Sequence, residues 1–554
     1  MKRATAMISL LLLLATLASG CGEAETALKP AGGPLREIKI AYDPNKARLS
    51  EDLVNAYNAR AAIKVRAAKM EIPEILEALP RGELIAVSPD SSIWIEHLDK
   101  AWKEANPDAS SIVGTTVRFA TTPVVIATWK GREGELGNSD ERGWAALLRK
   151  ASEDANYKWS HGSPRASASG MLALVAEFYA GAGKAFGLSK ADADQESVRK
   201  YVAQLERTIA RYGGESDAAL VEYLLKEGER GLSALVMPEA SAFDFNQRSK
   251  GAKLYAIQPV EGTLMLDHPL ILLETAKLTP ELRRAFLDFA RFLTGSEAQA
   301  LVVKHGYRPV DLTIDMARSP LAAEGISTAQ PRLLQMPSAG VLSYLRSAWA
   351  SGLKRRANIM LVVDVSGSME GEKIQRTKEA LVSFIKQVPS DEERVGLSIF
   401  SSDYRELVPL GRLGENRSAL LAQIDQLDAG GSTSLYYSIW RAHRLLAQQA
   451  DPERINVVVA MTDGQENSSS NFNNRDRPGV GRVPQITGKN NKDVGPLTNA
   501  LKQSGSGVLI FTVGYGNDAD MNVLGSIASS FSGTAYRADP NTIRKLYDLI
   551  SANF

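Results

Sequence analysis

Residues 358–369 read NIMLVVDVSGSM, and this stretch decides the fold of the second half of the chain. Residues 359–363 are continuously apolar, which is typical of a strand covered on both faces and therefore central in a parallel sheet. The strand ends in Asp364, and Ser366 and Ser368 follow within one turn. Strands and helices alternate from this point onward, so the sequence predicts an α/β fold with a doubly wound, mostly parallel sheet.

Two later loops carry polar residues of the same kind. Thr433 lies in the loop GGSTS at 430–434, and Asp463 follows the apolar strand 457–461. Because loops at the carboxyl ends of parallel strands gather along one edge, we expect both residues to lie beside Asp364. Carboxylate and hydroxyl oxygens favour a hard divalent cation, which would be Mg2+, with Mn2+ or Ca2+ as alternatives.

This pattern resembles the metal-ion-dependent adhesion site of the von Willebrand factor type A domain, from about residue 357 to the end of the chain. The matching residues are Asp364, Ser366, Ser368, Thr433 and Asp463. The resemblance implies a metal with one open coordination position, which accepts an acidic side chain from a partner protein. The alternative is a set of polar turn residues without a metal. Glu370 and Glu466 flank the site, either as outer-shell groups or as ordinary surface acids.

The first half of the chain shows another arrangement of strands, polar turns and helix starts. The turns read SPDSSIW at 88–94 and SASG at 167–170. Amides and hydroxyls at a helix N-terminus favour an anion or a carbonyl-rich ligand. Together with DHPL at 267–270 and the ending 286–309, these segments resemble bacterial extracellular solute-binding proteins. The resemblance implies two α/β lobes of the periplasmic-binding fold around a ligand cleft.

Under this resemblance, five residues would face a small solute in the cleft. They are Ser91, Ser92, Thr121, Ser169 and Asp267. The alternative is that the serines only cap helices and that Asp267 is a hinge or turn residue. Because an acidic Asp267 opposes a fully ionised oxyanion, the ligand class stays open between an oxyanion, a sugar-like or peptide-like solute, and no ligand.

The N-terminus carries an export signal. Lys2 and Arg3 precede an apolar run over 6–18, which is too short to span a bilayer, and the only cysteine, Cys21, follows a small-residue stretch. This junction resembles that of bacterial lipoproteins, which implies cleavage before Cys21 and lipid attachment to it. We therefore expect a chain outside the cytoplasm, held at the cell membrane or outer membrane by its lipid alone. A secreted protein with a stray cysteine, or an uncleaved anchor, is the alternative.

The length of 554 residues favours several domains. The predicted order is a signal peptide at 1–20, a tether at 21–35, a two-lobed solute-binding domain at 36–315, a linker at 316–340 and a von Willebrand factor type A domain at 341–554. Residues 465–492 are polar and follow Asp463 directly. They are either a loop that contacts a partner or a tolerated insertion.

Composition and motifs exclude several classes of protein. The chain has 65 basic and 64 acidic residues, a net charge of +1, so no overall field attracts nucleic acid. The basic cluster at 354–356 fits the end of a helix better than a nucleic-acid site. The sequence has no His-Glu-x-x-His, Gly-x-Ser-x-Gly or Walker A motif, so we expect no enzyme.

Two functions from different classes remain. In the first, the chain is an adhesion or scaffold protein that captures an acidic protein ligand through its metal, with the solute-binding domain as sensor or spacer. In the second, it is the substrate-binding receptor of an ABC-type transport system and delivers its solute to a permease. The complete set of five metal-site residues favours the first hypothesis, because the cleft residues match their family less specifically.

Overall fold

The computed structural model describes residues 37–538, apart from 214–216, 389, 450, 452 and 506. Cys21, the signal peptide and the tether lie outside the described residues. From Glu37 onward the chain forms one unit by its internal contacts. Within the described part, no helix combines the length and apolar character that crossing a membrane requires.

The strands of the described residues are numbered in chain order. They are β1 Glu37–Tyr42, β2 Lys64–Lys69, β3 Ala86–Ser88, β4 Val113–Arg118, β5 Ala120–Trp129, β6 Trp159–Gly162, β7 Ile209–Gly213, β8 Ala234–Pro238, β9 Leu254–Ile257, β10 Met265–Leu266, β11 Pro269–Leu273, β12 Arg308–Pro309, β13 Arg356–Asp364, β14 Arg394–Phe400, β15 Tyr404–Arg412, β16 Arg454–Thr462, β17 Asp476–Arg477, β18 Gly481–Arg482, β19 Val508–Tyr515 and β20 Ala535–Ala538.

The α-helices follow in the same order. They are α1 Ala47–Asn58, α2 Ile72–Ala78, α3 Ile95–Ala105, α4 Trp144–Glu153, α5 Ala168–Ala182, α6 Lys190–Asp194, α7 Glu196–Thr208, α8 Asp217–Glu227, α9 Glu239–Arg248, α10 Pro280–Leu293, α11 Ser296–Lys304, α12 Pro320–Ala323, α13 Ala339–Ala348, α14 Glu372–Gln387, α15 Leu413–Asp425, α16 Leu435–Gln448, α17 Gly495–Ser504 and α18 Met521–Ser530.

Two sheets form the first half of the described chain. The first lobe has the strand order β2-β1-β3-β11-β4, in which β11 runs antiparallel to its neighbours. The second lobe has the order β10-β5-β8-β6-β7, and β9 and β12 also pair with β5. The chain passes between the sheets from β4 to β5, from β10 to β11 and from β11 to β12. These crossings are the hinge strands that the two-lobed prediction requires.

The third large sheet has the order β15-β14-β13-β16-β19-β20, and only its edge strand β15 is antiparallel. Its central strand β13 is buried along its length, with Leu361, Val362 and Val363 fully inaccessible. Helices pack on both faces of the sheet. The predicted α/β class, with a doubly wound and mostly parallel second part, is confirmed.

Helix α13 joins the two halves and contacts both lobes. It continues into a π-helical turn, Trp349–Leu353, and β13 begins shortly afterwards at Arg356. The guanidinium of Arg346 lies 2.6 Å from Nε2 of His97 on α3 in the first lobe. The hydroxyl of Tyr344 donates a hydrogen bond to Asp194 on α6 in the second lobe. The helix that precedes the central strand is therefore fixed to both lobes.

The segment predicted as a linker, 316–340, is packed along the second lobe. The Tyr179 hydroxyl donates to the carbonyl of Gln335 at 2.7 Å, and the Gln335 side chain accepts the amide of Gly187 at 2.8 Å. Leu334 is buried at the same place. The prolines of this segment suggest a loose connector. In the described structure the segment is instead held in place, because its backbone and side chains hydrogen bond to the second lobe.

Candidate functional site

The five residues predicted to bind a metal lie at the carboxyl edge of the third sheet. Asp364 ends β13, and a single 3-10 turn, Gly367–Met369, separates it from α14. Thr433 precedes α16, and Asp463 directly follows β16. Neighbouring parallel strands thus bring the loops to one place, as the sequence pattern predicts.

Hydrogen bonds connect these side chains. Oγ of Ser366 and Oγ of Ser368 are 3.1 Å apart, and Ser368 donates to Oδ1 of Asp463 at 2.7 Å. Asp364 accepts the amide of Ser366 at 2.8 Å and the hydroxyl of Thr462 at 2.5 Å. The two carboxylates and the serine hydroxyls therefore share one small polar cluster.

Thr433 reaches the same cluster beside Gly464. A Cβ placed on Gly464 would lie 3.4 Å from Oγ1 of Thr433 and 3.5 Å from Oγ of Ser368. Both hydroxyls thus border the space over this glycine. A Cβ there would be in ordinary van der Waals contact with two of the predicted ligand atoms.

The electrostatics of the cluster call for a cation. Asp364 and Asp463 are buried, at 0% and 1% exposure. Burial, and to a lesser degree the neighbouring Asp463, raises the pKa of Asp364 to about 6. Two carboxylates and three hydroxyls form the oxygen-only donor set that hard divalent cations prefer. The residues present therefore fit Mg2+.

A residue that the sequence did not single out contacts the site. The ammonium of Lys373, in the first turn of α14, lies 2.5 Å from Oδ2 of Asp463. Its side chain is 31% exposed, whereas that of Asp463 is inaccessible. Lys373 thus supplies positive charge to one carboxylate of the cluster.

Glu466 and Asn467 hold the loop that carries Thr433. Glu466 is buried and accepts hydrogen bonds from the amides of Tyr436, Ser468 and Ser469. Oδ1 of Asn467 accepts the amide of Thr433 at 2.9 Å. Glu466 therefore caps the start of α16 and acts on the site through the backbone, while Glu370 lies exposed.

The polar segment 465–492 packs on α16. The ring of Phe472 stacks on Tyr437 at 4.0 Å, and Arg477 lies over the Phe472 ring. Val483 and Ile486 are fully buried. The segment thus contributes buried apolar side chains, which its mostly polar composition does not indicate.

The predicted cleft residues separate into two groups. In the first lobe, Asp267 accepts the amide and the hydroxyl of Ser92, at 2.7 and 2.6 Å, and pairs with Arg118. Ser91 caps the following turn by accepting the amide of Ile93. Asp267 therefore links the turn that precedes α3 to the end of β4.

In the second lobe, Ser169 contacts a carboxylate of the chain itself. Its hydroxyl donates to Oδ1 of Asp217 at 2.6 Å. Asn45 of the first lobe donates to Oδ2 of Asp217 at 3.3 Å and to Asp90 at 3.4 Å. Burial raises the pKa of Asp217 to about 7. Asn45 therefore connects the two lobes across the predicted cleft.

A cavity of about 330 Å3 lies beside this connection, between α1, α8 and α9. Asn45, Arg48, Asp244, Arg248 and Tyr307 are among its lining residues. None of the five residues predicted for the cleft lines it, and Thr121 instead lies opposite Arg308 in the β5–β12 pairing. This cavity is therefore separate from the predicted ligand-binding set, of which Ser92, Ser169 and Asp267 bond to side chains of the chain itself.

Comparison with known families identifies both parts of the chain. Residues 38–308 match the family described as bacterial extracellular solute-binding protein. Residues 358–548 match the von Willebrand factor type A domain. The chain carries an extracellular solute-binding domain followed by a von Willebrand factor type A domain, as predicted. These are families of binding domains, and the first indicates a location outside the cytoplasm.

A curated relative illustrates the second match. The chain is 27% identical over 190 residues to inter-alpha-trypsin inhibitor heavy chain H4 from Homo sapiens, which covers 32% of this chain and 18% of that protein. The chain spans about a fifth of the length of the curated relatives that it matches first. The likeness therefore concerns one domain.

Solved structures resemble each part separately. The von Willebrand factor type A protein from Catenulispora acidiphila is 22% identical, covers 36% of this chain and 43% of its own, and has a TM-score of 0.29. The sulfate-binding protein SubI from Mycobacterium tuberculosis is 17% identical, covers 52% of this chain and 91% of its own, and has a TM-score of 0.39. The fold assignment rests on the strand order of the three large sheets.

Sequence reasoning missed several residues of these sites. Asn45 follows the carboxyl end of β1, where strand-end loops gather, and this position in the pattern indicates it. Asp217 and Lys373 lie in the first turns of helices and have no distinguishing pattern. Only the three-dimensional contacts identify them.

Proposed function

We propose that this chain is a binding protein outside the cytoplasm, held at a membrane through a lipid on Cys21, which captures an acidic protein partner through a divalent cation. The convergence of five oxygen-bearing side chains at one sheet edge carries the proposal. The ligands of the cation would be Asp364, Ser366, Ser368, Thr433 and Asp463. When bound, Mg2+ supplies a positive centre that attracts a carboxylate oxygen.

The residues of the site have different roles in binding the cation and the partner. Asp364 and Asp463 balance the charge of the cation, and the neutral hydroxyls add no further negative charge. The cation therefore keeps its attraction for an acidic side chain of the partner. Glu466 and Asn467 keep Thr433 in position by bonding to the backbone around it.

The solute-binding domain serves as sensor or spacer in this proposal. The support is that Ser169 and Ser92 already bond to Asp217 and Asp267 of the same chain. A ligand that used these hydroxyls would have to displace a carboxylate.

The experiment measures Mg2+ binding by calorimetry, and binding to immobilised cell-surface protein with and without chelator. We expect wild type to bind the cell-surface protein with Mg2+ present and not with chelator present. Asp364→Ala should bind it in neither condition. Asp425→Ala, which removes an exposed carboxylate of the same domain, is the matched control and should behave as wild type. Circular dichroism reports the fold. Equal binding by all three proteins in both conditions would show the adhesion proposal to be wrong.

The inter-lobe cavity favours a second candidate, the receptor of an ABC-type transport system. Arg48, Arg248 and Tyr307 offer a solute polar contacts there. Calorimetry against panels of oxyanions, sugars and short peptides tests it. A heat of binding for one class of solute that is lost in Arg248→Ala would support the receptor function. If no class of solute gives a heat of binding, the domain would be a spacer.

A further inference from the structure

A second cluster of ligand-type side chains lies inside the second lobe and shares no residue with the sheet-edge site or with the predicted cleft set. His161 of β6, Glu177 of α5 and Glu206 of α7 are each 0% exposed. One nitrogen or oxygen atom from each lies within 4.8 Å of the others. Three separate elements of the lobe thus direct donor atoms to one buried point.

The distances suit a metal ion. Nε2 of His161 lies 3.9 Å from Oε1 of Glu177 and 3.5 Å from Oε1 of Glu206. Metal bonds of about 2.1 Å at tetrahedral angles separate donor atoms by about 3.4 Å. Shifts of a few tenths of an ångström would therefore bring the three side chains around one cation.

The histidine is oriented as a ligand. Its Nδ1 lies 2.6 Å from the carbonyl oxygen of Gly162, and this contact assigns the proton to Nδ1. The lone pair of Nε2 then faces the two carboxylates. A backbone carbonyl that accepts from the remote ring nitrogen is the usual support of a metal-binding histidine.

The charge of the cluster also favours a bound metal ion. In the part of the chain that the structure describes, neither carboxylate oxygen of Glu177 receives a hydrogen bond. Burial, and then the neighbouring Glu206, raises the pKa of Glu177 well above its usual value. Two ionised carboxylates at one inaccessible point are costly unless a proton or a cation compensates them.

We propose that His161, Glu177 and Glu206 form a structural site for a divalent transition-metal cation, of which Zn2+ is the best match. One imidazole nitrogen and two carboxylate oxygens suit Zn2+ better than Mg2+, which prefers oxygen alone. The cation would fasten β6, α5 and α7 together. Because these residues are buried on all sides, the site stabilises the second lobe and does not contact a solute.

The test uses the full chain, refolded in saturating Mg2+ with and without Zn2+, because a buried site needs access during folding. Elemental analysis after dialysis should give one more equivalent of Zn2+ for wild type than for Glu177→Gln. This substitution keeps the side-chain volume and removes the charge. Zn2+ should raise the melting temperature of wild type by several degrees and leave that of Glu177→Gln unchanged.

Two further measurements separate this site from the sheet-edge site. Asp364→Ala should lose Mg2+ binding and keep its equivalent of Zn2+. Co2+ in place of Zn2+ should give a visible absorption band in wild type and in Asp364→Ala, and no band in Glu177→Gln. Equal Zn2+ content and equal melting shifts in wild type and Glu177→Gln would overturn the proposal. The proposal would also be overturned if wild type retains no Zn2+ and gains no stability from Zn2+. This outcome decides the matter even if the variant fails to fold.

Discussion

Nζ of Lys373 lies 2.5 Å from Oδ2 of Asp463, so a cation of the chain itself contacts a carboxylate of the proposed metal site. Lys373 lies in the first turn of α14, and about a third of its side chain is exposed to water. A metal bound between Asp364 and Asp463 would repel this ammonium group and compete with it for the same carboxylate. Lys373 should therefore act as a competitor of the metal.

Lys373→Met should bind Mg2+ more tightly than wild type, by about tenfold, because the competing charge is removed while most of the side-chain length is kept. Titration calorimetry measures the affinity. Lys378→Met, on the same helix and bonded to the carbonyl of Asp425, is the matched control and should leave the affinity unchanged. Weaker binding by Lys373→Met would show that Lys373 supports the site.

Glu466→Ala should destabilise the protein by about 2–4 kcal/mol, because three buried amides lose their acceptor. Mg2+ binding should also weaken, since the loop that carries Thr433 depends on this cap. Glu370→Ala removes an exposed acid near the same site and should change neither quantity. Denaturant unfolding and calorimetry measure both. Equal stability of the two variants would contradict the role given to Glu466.

The free energy of unfolding should fall as the pH rises toward about 7, because the Asp217 carboxyl is buried and its ionised form is disfavoured there. Burial raises the pKa of Asp217 from its usual acidic range to about 7. Between the pKa of Asp217 in the unfolded chain and its pKa in the folded protein, the folded protein keeps a proton that the unfolded chain has released. The stability that protonated Asp217 contributes is therefore complete at low pH and is lost as the pH rises. Its slope is at most about 1.4 kcal/mol for each pH unit.

Asp217→Asn should remove this dependence, so the stability of the variant relative to wild type should improve from pH 5 to pH 8. Thermal unfolding at matched pH values measures the difference. Glu222→Gln, on the same helix but exposed, is the control and should follow wild type. A constant difference between Asp217→Asn and wild type would mean that Asp217 does not titrate in this range.

Cys21→Ala should move the protein from the membrane fraction to the soluble fraction without changing its circular dichroism, because the lipid would be attached outside both matched domains. Fractionation of cells, with mass analysis of the new N-terminus, measures the outcome. Cys21→Ala that stays in the membrane pellet after normal cleavage would rule out the lipid anchor.

The second half of the chain could be predicted in detail because local signals there determine distant contacts. The apolar strand before Asp364 had to be central, and parallel neighbours then had to bring Thr433 and Asp463 to its carboxyl end. The contacts of Lys373 could not be predicted, because a lysine in the first turn of a helix is usually a solvated surface residue.

The first half was less predictable for a physical reason. Serines at helix starts have the same sequence pattern whether they bind a solute or a carboxylate of the chain. Ser169 and Asp217 are 48 positions apart, and nothing local indicates their contact. The fold class could be inferred from the order of elements, whereas the partners of the cleft hydroxyls required the structure.

Helix α13 connects the two domains and contacts both lobes of the first one. Any rotation of one lobe against the other has to break the contact between Arg346 and His97 or carry α13 with it. The helix leads into β13, the strand that ends in Asp364. In the proposed adhesion role, the strand that ends at the metal site would thus follow directly from the helix that contacts both lobes.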